Sequence, residues 1–242
     1  MRAGFPALFR FQLAKKSIVI SPLLTVRDLT HRFDGRAQIA FGSFTVNAGG
    51  ILLLRGKSGC GKSTLLHLLG GVLSIAANSG SAVLDGRDIA AMTTSARDRL
   101  RPSLVGWMPQ RQLMINSLSV LDNVLLPMAL LGGVDTEVRR RATSLLDSLA
   151  IIELGALRPA TLSVGQAARA CLARALLAKP KLLLADEPTA ALDETSACLV
   201  AEQMLAFAAT GGAVLVSSHD RALRSLLEAD VMSAIDELAL PR

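Results

Sequence analysis

The sequence has few cysteines, few charges and no long apolar stretch. Cys60, Cys171 and Cys198 are odd in number, scattered, and form no CxxC or Cys/His spacing. A disulfide framework and a structural zinc site are therefore not expected, and a reducing cytosol is the simplest reading. Charged residues make up only 19% of the 242 positions against 51% hydrophobic, which argues against extended disorder. No apolar run reaches the roughly 18 residues of a membrane-spanning helix, so a soluble or peripheral chain is expected. No internal repeat is visible, and the length allows one large domain or two small ones around a substantial core.

The net charge is +6. It reads either as a solvated basic face or as attraction to anionic lipid or nucleic acid. Arg2, Arg10, Lys15 and Lys16 fall in the first 24 residues with no acid among them, beside three of the seven phenylalanines. Phe5, Leu8, Phe9 and Leu13 could share a helical face lying on a membrane surface. The plainer reading is a disordered tail or an early translation start, because Pro6 and Pro22 limit any helix. The apolar run 17–24 lacks a small-residue cleavage pattern, so no secretory signal is expected.

Further on, 24–27 and 37–41 alternate as strands around the Asp34-Gly35 turn, giving an antiparallel layer. The run Ile51-Leu52-Leu53-Leu54 is apolar throughout, as in a parallel strand buried on both faces. Helices are expected over 62–73 and 89–100, and strands over 82–84 and 104–108. Helical periodicity dominates 112–165, chiefly 120–131 and 136–149 with Gly132-Gly133 between them. Apolar strands return at 181–185 and 213–217 around a helix at 194–208.

Two segments carry chemistry. Gly56-Lys57-Ser58-Gly59-Cys60-Gly61-Lys62-Ser63-Thr64 matches GxxxxGK[ST] between an expected strand and helix, the context a phosphate-binding loop requires. Gly56 and Gly61 let backbone N–H groups turn toward phosphate oxygens, at a helix start that favours anions. Lys62 can reach the β- and γ-phosphates, and Ser63 offers a hydroxyl to Mg²⁺. Four apolar residues, 182–185, lead to Asp186, placing its carboxylate at the C-terminal edge of a parallel strand, where it can hold a magnesium-bound water. Glu187 follows, positioned to polarise an attacking water. A further glycine turn, Leu162-Ser163-Val164-Gly165-Gln166, opens a helix and reads as a second anion-binding surface.

In this order the residues resemble the nucleotide-binding subunit of an ATP-binding cassette (ABC) transporter, from Leu23 onward. The resemblance implies an α/β, P-loop NTPase fold with a mostly parallel central sheet, an antiparallel β layer and a helical subdomain. It divides the chain into a basic extension over 1–22 and a cassette over 23–242, with core segments 23–111 and 172–242 and a helical insert 112–171. It implies ATP and Mg²⁺ as ligands. Phe33 then matches the aromatic that stacks on adenine, and Gln110 the glutamine that joins sheet to insert and touches Mg²⁺. Ser163, Gly165 and Gln166 belong to the signature that caps ATP held by a partner cassette. Asp186 joins Ser63 and Gln110 as a metal ligand, Ala191-Leu192-Asp193 is the subunit-contact loop, and Glu187 and His219 act on the water and the γ-phosphate. Cys60 lies in the phosphate loop without chemistry of its own, and Arg169 and Arg174 read as surface or packing arginines.

The implied partners are a second cassette, most simply in a homodimer, and transmembrane permease subunits, with no nucleic acid. The implied location is peripheral, on the cytoplasmic face of the inner membrane. The stretches 65–71, 121–127 and 184–189 look like the lipoprotein-releasing and macrolide-export subgroup; an importer ATPase and a cell-division type of switch ATPase remain rivals. Two departures stand out. Val164 occupies the usual second-glycine position of the signature, and Ala167-Ala168 replace a polar pair. If position 164 needs only helical φ, Val164 still donates its N–H; if it needs close contact with phosphate, hydrolysis is slowed. The chain ends soon after the strand at 213–217, so no added regulatory domain is expected.

Overall fold

A computed structural model of the protein describes residues 22–34, 37–93, 98, 102–111, 113–229 and 235–240. The expected N-terminal amphipathic segment or tail lies outside them.

Two sheets organise the chain. Strands β1 (Pro22–His31), β2 (Ile39–Asn47), β4 (Ser81–Leu84) and β5 (Arg87–Asp88) form an antiparallel sheet in the order β2-β1-β4-β5. Strands β3 (Ile51–Arg55), β6 (Val105–Met108), β7 (Leu182–Asp186), β8 (Ala213–Ser217) and β9 (Ile235–Ala239) form a sheet in the order β6-β7-β8-β3-β9. Every pairing in this second sheet is parallel. Its connections include helices α1 (Lys62–Leu69), α2 (Val120–Leu130), α3 (Thr136–Ser148), α4 (Val164–Leu176), α5 (Glu194–Ala209) and α6 (Arg221–Ala229).

The continuous apolar runs at 51–54, 182–185 and 213–216 are explained by burial on both sheet faces. Alternate side chains serve two different cores. Ile51, Leu53, Leu183, Ala185, Val214 and Val216 pack into the core shared with α2, α3, α4 and α5. Leu52, Leu54, Leu182, Leu184, Ala213 and Leu215 pack against α1 and the antiparallel sheet. Each fully buried leucine or valine of this kind contributes about 1.5–3 kcal/mol, so the period-two pattern fixes the register of all three strands.

Three expectations are corrected. The helix from Lys62 stops at Leu69 rather than 73, because Gly70 caps it and Gly71 turns with φ +69°. No helix begins at Ile89: Asp85 and Gly86 have φ +49° and +74°, as a two-residue type I′ hairpin requires, and Arg87–Asp88 fold back onto β4. Part of the remaining 89–100 expectation lies outside the described residues. Leu104 is helical, so the next strand begins at Val105. Neither α6 nor β9 was anticipated, and β9 adds a parallel partner to β3.

Candidate active site

The phosphate-binding loop leaves the C-terminal end of β3 and enters α1 at Lys62. Its last turn depends on Gly61, which caps α1 with φ +105°. A Cβ there would lie 3.0 Å from Ile39 Cγ2 and 3.1 Å from Phe41 Cε1. The loop therefore packs directly on β2, and only glycine permits both the dihedral and the approach. Cys60 fills space beside the loop, with its Sγ where a Cβ on Gly56 would fall.

Lys62 is 8% exposed. Its ammonium donates to the carbonyls of Gly56 at 2.7 Å and Lys57 at 3.3 Å, and lies 3.0 Å from His219 Nε2. Because an ammonium only donates, this contact assigns His219 Nε2 the acceptor role, with the proton on Nδ1. His219 also meets Glu187: its backbone N–H donates to Glu187 Oε2 at 3.2 Å, and its Nε2 lies 3.7 Å from Glu187 Oε1. Residues 62, 187 and 219 thus meet, although 157 positions separate the outer two.

Asp186 ends β7 and is 5% exposed. The Ser217 hydroxyl at the end of β8 donates to Asp186 Oδ1. Glu187 then turns sharply, with φ +47°, a conformation that a non-glycine residue adopts only when its surroundings hold it. Its amide donates to Ser217 O at 2.9 Å, with Ser217 Oγ at 3.3 Å. Ser217 therefore holds both acids. Beyond it, Thr189 Oγ1 donates to Asp220 Oδ2 at 2.8 Å, tying the two strand-end loops together.

These groups line one cleft of about 770 Å³. Phe33 and Ala37 line it together with Ser58, Gly59, Lys62, Ser63 and Thr64 of the phosphate loop and with Gln110, Asp186, Glu187 and His219. Phe33 is half-buried and meets the edge of His31 at a ring separation of 4.5 Å.

The turn 162–166 does not line this cleft. Ser163 is the N-cap of α4 and forms a reciprocal box with Gln166: Gln166 N–H donates to Ser163 Oγ at 3.2 Å, and Ser163 N–H donates to Gln166 Oε1 at 2.8 Å. Val164 is the first helical residue, is absent from the positive-φ positions, and is 52% exposed. The turn thus accepts a β-branched residue without backbone strain. Gly165 is required for closeness instead, since a Cβ there would meet Ser196 Oγ at 2.5 Å. Ser196 in turn donates from its N–H and hydroxyl to Asp193, each at 2.8 Å. These bonds, the backbone one first, hold the Asp193 carboxyl below the usual carboxylate range.

Sequence reasoning missed Ser217 and the Thr189–Asp220 pair, whose only signal was hydroxyl and acidic residues at the ends of apolar strands. It also missed Asn123. This fully buried amide receives the N–H of Ile115 and donates to the carbonyls of Ile115, Leu118 and Ser119, fixing the loop into α2. Of the surface and packing alternatives, Arg169 takes packing, donating to Leu149 O at 2.8 Å and Ala150 O at 3.2 Å beyond the end of α3.

The ABC transporter family model matches residues 42–190. The chain belongs to the ABC transporter family. It is 33% identical over 206 residues, 83% of this chain and 90% of the other, to the lipoprotein-releasing system ATP-binding protein LolD of Alcanivorax borkumensis. It is 34% identical over 203 residues to the macrolide export ATP-binding/permease protein MacB of Burkholderia pseudomallei, covering 82% of this chain and 31% of that protein. Among solved structures, it is similar to the ATP-binding cassette MJ0796 as a dimer in a post-hydrolysis state bound to ADP and Pi. That match has a TM-score of 0.76 and 25% identity, covering 90% of this chain and 97% of the other. The protein is an ATPase of the ABC type, with the parallel sheet, antiparallel layer and helical region expected of that fold.

Proposed function

We propose that this chain is the ATP-hydrolysing subunit of a lipoprotein-releasing or export transporter and works as a dimer whose two ATP sites are each shared between cassettes. The observation that carries the reading is the division of the site within one chain. The cleft gathers Phe33, residues 58–64, Gln110, Asp186, Glu187 and His219, whereas the Ser163-capped helix start lies outside it with Val164 exposed. Two head-to-tail copies place one copy's capped turn against the other's cleft.

In that arrangement Phe33 offers its ring to adenine. The backbone N–H groups of residues 57–64, including Lys57, Cys60 and Thr64, and the Lys62 ammonium bind the phosphates. Glu187 orients and polarises the attacking water, and its contact with His219 holds the carboxylate in place. Ser163, the N–H groups of Val164 and Gly165, and Gln166 as part of the capping box close the partner's site. Ser63, Gln110 and Asp186 bring oxygen donors into one cleft, and a buried carboxylate oriented by Ser217 suits a hard divalent ion. These three would hold Mg²⁺, which when bound neutralises charge on the transferred phosphoryl group.

The division into a basic extension over 1–22 and a cassette with a helical insert over 112–171 belongs to the same reading. So does a peripheral position on the cytoplasmic face of the inner membrane beside permease subunits. Among the described residues no helix is long and apolar enough to cross a membrane. A cavity of about 630 Å³ between β6 and α2, with Trp107, Leu126 and Leu130 on its walls, suits a short helix of a membrane subunit. Leu130 is 78% exposed. Affinity purification of the tagged chain from detergent-solubilised membranes tests the assignment. An integral membrane protein should co-purify and change the ATPase rate; stimulation by ribosomes or DNA ends in place of a membrane partner would sink it.

A further inference from the structure

Another cavity, of about 570 Å³, lies at the opposite edge of the parallel sheet from the nucleotide cleft. Lys181 and Gly212, on its rim, immediately precede β7 and β8, whereas Asp186 closes β7 at the other end. Five strand residues at about 3.3 Å each place the two sites roughly 16 Å apart. The Ala213 N–H donates to Lys181 O at 2.9 Å, joining the two sides of the rim.

The cavity has a polarity that packing alone does not call for. Arg141, Lys179 and Lys181 line it, and among the described residues no carboxylate does. Among the described residues none of the three forms an ion pair. The acid nearest in charge to Arg141 and Lys179 is Glu137, and both of its oxygens are already taken by Arg140. Its carboxyl is held below the usual range first by that bond and then by the charges of Arg140, Arg141 and Lys179. Arg141 Nε is buried with no acceptor, an arrangement that lowers stability and recurs where a site is built for a ligand. Leu145, Leu176 and Phe207 supply an apolar wall. A Cβ on Gly212 would lie 2.3 Å from Phe207 Cζ, so glycine at this position lets the ring lie there.

We propose that this cavity binds a small dianion with an apolar body, of the phosphate monoester class. Three cations on the cavity wall match a double negative charge, a guanidinium takes phosphate oxygens in pairs, and the Phe207 side accepts the apolar body. This site is independent of the ATP reading.

Calorimetric titration of phenyl phosphate into the full chain, presaturated with a non-hydrolysable ATP analogue, tests it. Saturable binding should weaken about tenfold in each of Arg141→Gln and Lys181→Gln, as expected for losing one charged hydrogen bond. It should persist in Lys62→Ala, whose phosphate loop is impaired, and benzoate should bind more weakly than phenyl phosphate. Arg141→Met should melt no lower than wild type without probe and should lose the probe. Equal affinity in wild type and both glutamine variants, loss of binding in Lys62→Ala, or no saturable binding at millimolar probe would overturn the proposal. A lower melting temperature of Arg141→Met with binding retained would assign Arg141 to packing and overturn it as well.

Discussion

Gly165 and Ser196 are packed so closely that a methyl group on the glycine would fall 2.5 Å from the serine hydroxyl oxygen. The first turn of α4 therefore rests on the first turn of α5, and Asp193 bonds both donors of Ser196 there. Asp193 ends the loop that begins with the strained turn at Glu187, and Ala191 in that loop also has positive φ, at +62°. Within one chain, the turn proposed to close a partner's site and the loop leaving Glu187 share a contact.

Replacing Gly165 by alanine should force these two turns apart. Overpacking of this kind costs about 1–3 kcal/mol. Urea unfolding should show that loss, and ATP turnover should fall further than folding alone explains, because the contact joins the turn at Ser163 to the loop at 191–193. A Gly165→Ala protein with unchanged stability and turnover would show that the contact is slack.

Val164 is one of the two departures from the expected signature pattern, and its geometry predicts a mild effect. It is helical and exposed, so its N–H is presented as glycine would present it. Val164→Gly should change ATP turnover by less than about fivefold, under roughly 1 kcal/mol in barrier. A larger rise would mean that the side chain itself obstructs the partner's phosphate.

Ser217 should matter for both stability and activity. Its hydroxyl bonds the buried Asp186 carboxylate, and its carbonyl accepts from Glu187. Ser217→Ala removes a hydrogen bond to a charged group, about 1.5–3 kcal/mol. Denaturant unfolding should show that loss, and a magnesium titration of the ATPase should shift to higher metal concentration. Normal magnesium dependence would remove Asp186 from the metal site.

Asp193 gives the acid dependence of the same region. Its carboxyl is held below its ordinary range in the folded chain, so it favours folding above the unfolded carboxylate pKa. That contribution is lost as pH falls through the depressed folded value. Asp193→Asn keeps an oxygen acceptor but not the charge. Thermal unfolding from neutral pH down through the carboxylate range should fall less steeply in this variant than in wild type, and parallel curves would contradict the assignment.

Much of the fold could be read from the chain because its signals are local and strong. The apolar runs of β3, β7 and β8 have no alternation to expose a face, which is the pattern of strands covered on both sides. The phosphate loop sits between its strand and helix as its spacing demands. The elements misread were those decided by a few atoms or by distant partners. Asp85-Gly86 formed a hairpin because Arg87–Asp88 could pair back onto β4, a contact that helical propensity over 89–100 does not reveal. β9 exists as a strand because β3 offers it an edge.

In the site, motif residues were legible by type, whereas Ser217, Asn123 and the Thr189–Asp220 pair were not. They act by holding other groups, through contacts 31 residues apart in two of the three cases. The signature turn was legible by sequence, but the need for Gly165 was not. Its reason is Ser196, on another helix.

The shared-site account is tested most directly by the oligomeric state of Glu187→Gln, which keeps the shape of the side chain and removes its ability to polarise water. Size-exclusion chromatography with light scattering in Mg-ATP should show this variant as a dimer and wild type returning to monomer as it hydrolyses the nucleotide. A Glu187→Gln protein that binds ATP yet stays monomeric, with and without its membrane partner, would contradict the account.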